Sequence, residues 1–76
     1  MEFEIRLTSV QDIQAFVSLA TSKAFPVSVR DRYMTVNGKS FMEMFCLNFT
    51  HPLFVCVSCS EEELRQLKED MHKFLA

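Results

Sequence analysis

The residues best suited to chemistry stand at the start of a short predicted helix. Ser40 places a hydroxyl beside the amine of Lys39, and Glu43 completes the spacing of a Ser-x-x-Glu capping box. A helix N-terminus offers free amide donors and a partial positive charge, so a phosphate at Ser40 would find donors within reach. A serine here also contributes about 1 kcal/mol simply as an N-cap. The sequence leaves both roles open.

Bulky apolar residues follow this helix start at once. A two-turn helix cannot bury every side, so we expect part of the set Phe41, Met42, Met44, Phe45 and Leu47 to be exposed. An exposed apolar patch marks an interaction surface, and methionine suits an adaptable one. The alternative is that all five are core residues of a small domain.

The cysteines and histidines suggest no further site. Cys56 and Cys59 have C-x-x-C spacing, but residues three apart on a strand point to opposite faces, and no second ligand pair completes a zinc site. His51 lies in a connector and His72 in the last predicted helix. Neither sits at a helix N-terminus with glycine and arginine nearby, so a surface or capping role is expected for both. We therefore expect no metal, no cofactor and no enzymatic activity.

Size and charge restrict the remaining classes. The chain has 76 residues, 49% of them hydrophobic, which predicts one domain over residues 1–76. A net charge of -2 disfavours nucleic-acid binding. Arg30, Arg32 and Lys39 form a small basic cluster around a predicted hairpin, which is expected to be a solvated surface.

The N-terminus and the cysteine count predict the compartment. Residues 1–6 alternate charge with hydrophobe, unlike a secretory signal, and no stretch is long enough to span a bilayer. Three cysteines, an odd number, argue against a disulfide framework. We expect a soluble cytoplasmic protein with free thiols.

Hydrophobic periodicity divides the first half of the chain. Strict alternation predicts a strand over 2–8, and helical spacing predicts a helix over 9–22, capped through Thr8-x-x-Gln11 or Ser9-x-x-Asp12. Alternation returns over 27–30 and 33–36, which predicts a hairpin turning at Asp31-Arg32.

The second half begins where Asn37-Gly38 breaks the strand and Ser40 opens the short helix. A β-prone run over 53–59 predicts the last strand, and a Ser60-x-x-Glu63 capping box begins a helix that fills the C-terminus. Its apolar stripe is Leu64, Leu67, Met71, Phe74 and Leu75. The order βαββαβα predicts an α+β open-faced β-sandwich, with helices on one face of a small sheet.

This order and the segment 36–49 resemble the HPr family, the histidine-containing phosphocarrier proteins of the bacterial sugar phosphotransferase system. The likeness covers most of the chain. The family's Lys-Ser helix start is matched by Lys39-Ser40, its following hydrophobes by Phe41-Met42, and its helix end by Leu47-Asn48-Phe49. Asparagine replaces the family's usual glycine there, a mild change at a left-handed helix end. The resemblance implies a four-stranded antiparallel sheet of order 1-4-2-3 with three helices on one side.

The resemblance breaks at the family's active site, where a phosphorylated histidine begins the first helix and arginine and proline follow. Counting back from Ala15-Phe16-Val17 puts Ser9 at the histidine, Gln11 at the arginine and Asp12 at the proline. A serine phosphate ester is far less activated than a phosphoimidazole, and Asp12 would repel a phosphoryl group. The only glycine, Gly38, lies elsewhere. We expect phosphoryl transfer to be lost and Ser9 to be an N-cap.

What remains is recognition. The family's docking residues match four positions here: Lys39, Phe41, Met42 and Phe45. The resemblance therefore implies that the apolar side chains among these are exposed, and that Met44 and Leu47 face the core instead. Ser40 matches the serine that a dedicated kinase phosphorylates in Gram-positive bacteria. The resemblance implies a non-transferring interaction or regulatory module whose partners are enzyme I, HPr kinase or sugar-specific components. Two alternatives stay open: an active phosphocarrier with a relocated acceptor such as His51, and a structural homodimer in which the apolar helix is covered by its copy.

Overall fold

The computed structural model describes residues 1–75, and its elements follow the predicted order. They are β1 (Glu2–Ile5), α1 (Val10–Thr21), β2 (Val27–Arg30), β3 (Thr35–Asn37), α2 (Phe41–Met44), β4 (Leu53–Val57), α3 (Glu61–Asp70) and a terminal 3-10 helix (His72–Phe74). No helix in the described range combines the length and the apolar character needed to cross a bilayer.

The four strands form one antiparallel sheet in the spatial order β1-β4-β2-β3, which confirms the predicted topology. β4 is an inner strand, because Val55 lies opposite Phe3 of β1 on one side and opposite Val29 of β2 on the other. The helices cover one face of this sheet, so the fold is the predicted α+β open-faced sandwich.

Alternation along the strands creates the core. Each strand turns every second residue inward: Phe3, Ile5, Val27, Val29, Val36, Leu53, Val55 and Val57 are buried. The helices meet this layer with Ile13, Phe16, Ala20, Met44 and Leu67, also buried. Phe16 of α1 contacts Phe74 of the 3-10 helix edge to face, with ring centroids 6.2 Å apart. The core therefore spans the chain from its first strand to its last turn.

Both ends of the chain depart from the predicted boundaries for one shared reason. β1 ends at Ile5 and not at Thr8, because the N–H of Arg6 donates to the carbonyl of Phe74 at 2.8 Å. α3 stops at Asp70, and Leu75 forms an antiparallel bridge with Ile5. The prediction of one helix through Leu75 was wrong, since the last residues return along β1. The predicted last strand was also too long, for β4 ends at Val57.

The hairpin between β2 and β3 is wider than the predicted turn at Asp31-Arg32. Arg30 pairs with Thr35, which leaves a four-residue loop over 31–34. Asp31 is buried, and its Oδ1 accepts the amide N–H groups of Tyr33 at 2.8 Å and Met34 at 2.9 Å. A buried carboxylate thus organises this loop in place of a glycine turn.

The end of α2 also differs from the prediction. No residue in the range 1–75 has a left-handed φ, so Asn48 does not close the helix in the way glycine would. Its N–H donates to Oδ2 of Asp31 at 3.0 Å, and its Oδ1 accepts the N–H and hydroxyl of Thr50 at 3.0 and 2.6 Å. Asn48 therefore links the segment after α2 to the β2–β3 loop.

Gly38 lets the chain leave β3 close against β2. Its N–H donates to the carbonyl of Val27 at 2.8 Å, and a Cβ there would lie 3.0 Å from Val27 Cγ1 and 3.2 Å from Val29 Cγ2. On the edge strand, the N–H of Asn37 donates to the Glu43 carboxylate at 3.2 Å. α2 is thus held tightly against the end of β3.

Candidate functional site

The start of α2 is capped by Ser40. Its Oγ accepts the N–H of Glu43 at 3.3 Å, while the N–H of Ser40 donates to the carbonyl of Asn37. The predicted capping box is only half formed, because the Glu43 carboxylate turns to the N–H of Asn37 instead of that of Ser40. Ser60 in α3 does form a complete box with Glu63.

The side chain of Lys39 lies against the protein and does not extend into solvent. Its Nζ donates to the main-chain carbonyl of Lys23, just beyond α1, at 2.7 Å. The Lys23 ammonium in turn pairs with Asp70 at the end of α3. Lys39 therefore ties α2 to the end of α1, and the predicted basic cluster divides, because Arg30 and Arg32 lie together elsewhere.

The apolar residues of α2 divide between core and surface as predicted, except that the expected exposure of Phe41 was wrong. Met44 and Leu47 are buried in the core, as expected. Met42 is 82% exposed and Phe45 is 45% exposed, whereas Phe41 is half-buried and packs against the core. The rings of Phe41 and Phe45 meet edge to face with centroids 4.7 Å apart. Phe41 thus supports a surface on which Met42 and Phe45 face solvent.

A groove between α1 and α2 extends this surface. It encloses about 360 Å³, and its lining is almost wholly apolar: Thr8, Ser9, Val10, Ile13, Phe45 and Phe49. The sequence predicted Phe45 here but missed Val10, which is 48% exposed, and Phe49, which is half-buried. We call Met42, Phe45 and this groove the α1–α2 surface. It joins the predicted docking residues to the start of α1.

The start of α1 holds the residues at the family's active-site positions. Ser9 is an N-cap whose Oγ accepts the N–H of Asp12 at 3.1 Å, as expected. Asp12 Oδ2 accepts both the N–H and the hydroxyl of Thr8 at 2.9 Å, and these bonds lower the pKa of that carboxyl. Gln11 is exposed. A carboxylate occupies the place where a phosphoryl group would need donors.

The histidines lie apart from this surface. His72 is exposed in the 3-10 helix. His51 is exposed as well, but it shares a groove with Arg30 and Arg32 on another part of the molecule. Arg30 and Arg32 come close to His51 because the β2–β3 loop, distant in sequence, folds beside the connector.

The cysteines behave as separate thiols. Cys56 hydrogen-bonds through Sγ to Glu2 at 3.1 Å, whereas Cys59 packs against the core. Burial, and then the bond to Glu2, raises the pKa of the Cys56 thiol, which makes it a poor nucleophile at neutral pH. Residues 1–75 contain no group of three side chains able to hold a metal ion.

Comparison of the chain with protein-family models and with curated proteins found no match.

Proposed function

We propose that this protein is an HPr-like interaction module that docks onto phosphotransferase or carbon-regulation proteins and does not transfer a phosphoryl group. The observation that supports the proposal most directly is the exposure of Met42 and Phe45 beside an apolar groove at the start of α1. Large apolar side chains facing solvent together are typical of protein-binding surfaces. The resemblance in sequence supplies the class of partner.

The surroundings of Ser9 support the loss of transfer. The Ser9 hydroxyl is occupied as a helix cap, and the Asp12 carboxylate accepts the donors of Thr8. Its lowered pKa keeps Asp12 negatively charged at neutral pH, so it repels a phosphoryl group approaching the helix. This arrangement suits a surface that binds partner proteins without transferring a phosphoryl group.

The first experiment separates docking from transfer. The protein is incubated with phosphoenolpyruvate and enzyme I, and its intact mass is measured. We expect no added mass, while an acid-labile adduct of one phosphoryl group would contradict the loss of transfer. Active HPr serves as the positive control.

Docking itself is measured as binding to enzyme I and to sugar-specific components. Met42→Gln should weaken binding at least about tenfold, because a central apolar anchor carries much of an interface's energy. Tyr33→Gln is the matched control, since Tyr33 is 81% exposed but lies on the β2–β3 loop. Equal binding by both variants would argue against docking through α2.

Regulation at Ser40 is the second part of this proposal. The protein is treated with HPr kinase and ATP, and modified residues are located by mass spectrometry. A phosphate on Ser40 would add up to two negative charges beside Phe41 and Met42. If Ser40 stays unmodified, the proposed regulation by phosphorylation is wrong, and capping α2 is the role that remains for Ser40.

One observation favours a second candidate, a phosphocarrier that uses His51. This imidazole shares a groove with the guanidinium groups of Arg30 and Arg32, which suit a phosphoryl group. Under this candidate, the incubation with enzyme I adds one phosphoryl group, and His51→Ala abolishes the addition while His72→Ala does not.

A further inference from the structure

A second concave site lies where β2 ends and β4 begins. This groove encloses about 440 Å³ and is lined by Arg30, Asp31, Arg32, His51, Pro52 and Phe54. It shares no lining residue with the α1–α2 surface. Volumes of this order are typical of small-molecule sites. The groove combines two guanidinium groups and an imidazole with the apolar surfaces of Pro52 and Phe54.

Arg30 is held in a fixed orientation. Its Nε and Nη2 donate to the two carboxylate oxygens of Glu2, each at 2.9 Å, and its guanidinium lies 4.6 Å from the centre of the Phe54 ring. A bidentate pair and a stacked ring restrict the side chain more than either would alone. Arg30 therefore offers a pre-positioned cation at one wall of the groove.

The carboxylate of Asp31 keeps its negative charge, but both of its oxygens are turned toward backbone amides. Asp31 accepts amide N–H groups from Tyr33 and Met34 on Oδ1 and from Asn48 on Oδ2. Arg32 and His51, by contrast, have no hydrogen-bond or ion-pair partner in the part of the chain described. Arg32 thus brings to the groove a positive charge that no ion pair within residues 1–75 holds, although the whole chain carries a net charge of -2.

We propose that this groove binds the oxyanion of a small ligand, a phosphate monoester or a carboxylate, through Arg32, His51 and Arg30. The planar guanidinium fork matches both oxyanions in geometry, and His51 supplies a further ring nitrogen. Pro52 and Phe54 provide an apolar wall for the body of the ligand. The proposal concerns reversible binding and is independent of docking through α2.

The test is a titration of the whole protein followed by backbone amide chemical shifts, at constant ionic strength and neutral pH. Inorganic phosphate and acetate are the two probes, and chloride is the reference anion. We expect saturable shifts centred on Arg30, Arg32 and His51. Saturation with phosphate alone assigns the site to phosphate monoesters, and saturation with acetate alone assigns it to carboxylates.

Variants decide whether the groove is responsible. Arg32→Gln should weaken binding about tenfold or more, because a hydrogen bond to a charged group is lost. Lys68→Gln removes the same charge from α3 and should leave the affinity within about twofold, since an exposed distant charge is screened. Equal weakening by both variants, or no saturable shift with either probe, would overturn the proposal.

Discussion

The carboxylate of Asp31 accepts the backbone N–H of Asn48, with Oδ2 and N 3.0 Å apart. This bond joins the β2–β3 loop to the segment that follows α2, two parts of the chain that share no strand pairing. The other carboxylate oxygen accepts two amides of its own loop. One acidic side chain therefore holds two connections of the fold together.

The role of Asp31 predicts an acid-dependent loss of stability. Hydrogen bonds from the amides of Tyr33, Asn48 and Met34 hold the pKa of Asp31 below its usual range. The stability that these bonds contribute is therefore present above the unfolded-state pKa and is lost as pH falls through the lower folded-state pKa. We expect Asp31→Asn to lower the melting temperature at neutral pH, with a difference that shrinks in acid.

Circular dichroism melts from neutral to strongly acidic pH measure this effect. Glu61→Gln on α3 is the control, because Glu61 is exposed and outside the loop contacts. A melting-temperature difference for Asp31→Asn that stays constant with pH would contradict the carboxylate's role.

If Ser40 caps α2, its replacement should change the stability of the protein more than replacement of an ordinary surface serine. Ser40→Ala should cost about 1 kcal/mol in the free energy of unfolding, because the N–H of Glu43 loses its acceptor. Ser40→Asp should retain most of that stability, since aspartate also caps. Urea unfolding measures both, with exposed Ser58→Ala as the control. Equal losses in the alanine and aspartate variants would argue against capping.

A side chain at position 38 should destabilise the protein through steric contact with β2 and not through backbone strain. Gly38→Ala should destabilise the fold by about 1–3 kcal/mol, because its Cβ would approach Val27 Cγ1 at 3.0 Å and the Val27 carbonyl at 3.1 Å. Thr35→Ala, at an exposed position of β3, is the control. Urea unfolding that left Gly38→Ala as stable as the wild type would mean that β2 moves aside freely.

Two methionines of α2 provide a matched pair. Met44→Ala should cost about 2–5 kcal/mol, because its side chain is 0% exposed and removal leaves a cavity. Met42→Ala should change the free energy of unfolding by about 0.5 kcal/mol or less. Chemical unfolding of the two variants measures the contrast. A large loss at Met42 would show that its exposed side chain stabilises the monomer.

The oligomeric state tests the homodimer alternative. We expect light scattering to report the mass of one chain, 8.9 kDa, at all concentrations, because the proposed function assigns the α1–α2 surface to other proteins and not to a second copy. A mass that doubles with concentration, and returns to one chain in Phe45→Gln, would instead support the homodimer.

Local pattern was sufficient for the order of strands and helices along the chain, whereas the sheet order and the exposure of Met42 against the burial of Met44 came from the resemblance. Local pattern gave the wrong ends for β1 and for the last helix, because residues distant in sequence form hydrogen bonds there. Alternation continues beyond Ile5, but Phe74 takes the N–H of Arg6 and ends β1. Periodicity likewise continues to Leu75, which instead bridges to Ile5. Such contacts join residues far apart in sequence, so no short window contains them.

The candidate sites that depend on nearby residues were predicted from the sequence, and those formed by distant residues were missed. Ser9 and Ser40 were predicted as caps because a cap depends on residues three positions away. The groove at His51 escaped prediction because His51 lies in the connector before β4, whereas Arg30 and Arg32 reach the groove from the β2–β3 hairpin. Val10 was missed as well, because helical spacing alone does not show that the first residue of α1 lies at the edge of the core, where it is exposed.

The bond from Asn37 to Glu43 has a consequence for how the protein withstands partial unfolding. β3 lies at the edge of the sheet, and an open edge can template pairing with strands of other chains. Glu43 occupies the N–H of Asn37 only while α2 is folded. Unwinding of this four-residue helix would uncover Met44 and free the strand edge together. The folded α2 therefore covers one end of an open strand edge, although the same four-residue helix exposes Met42 to solvent.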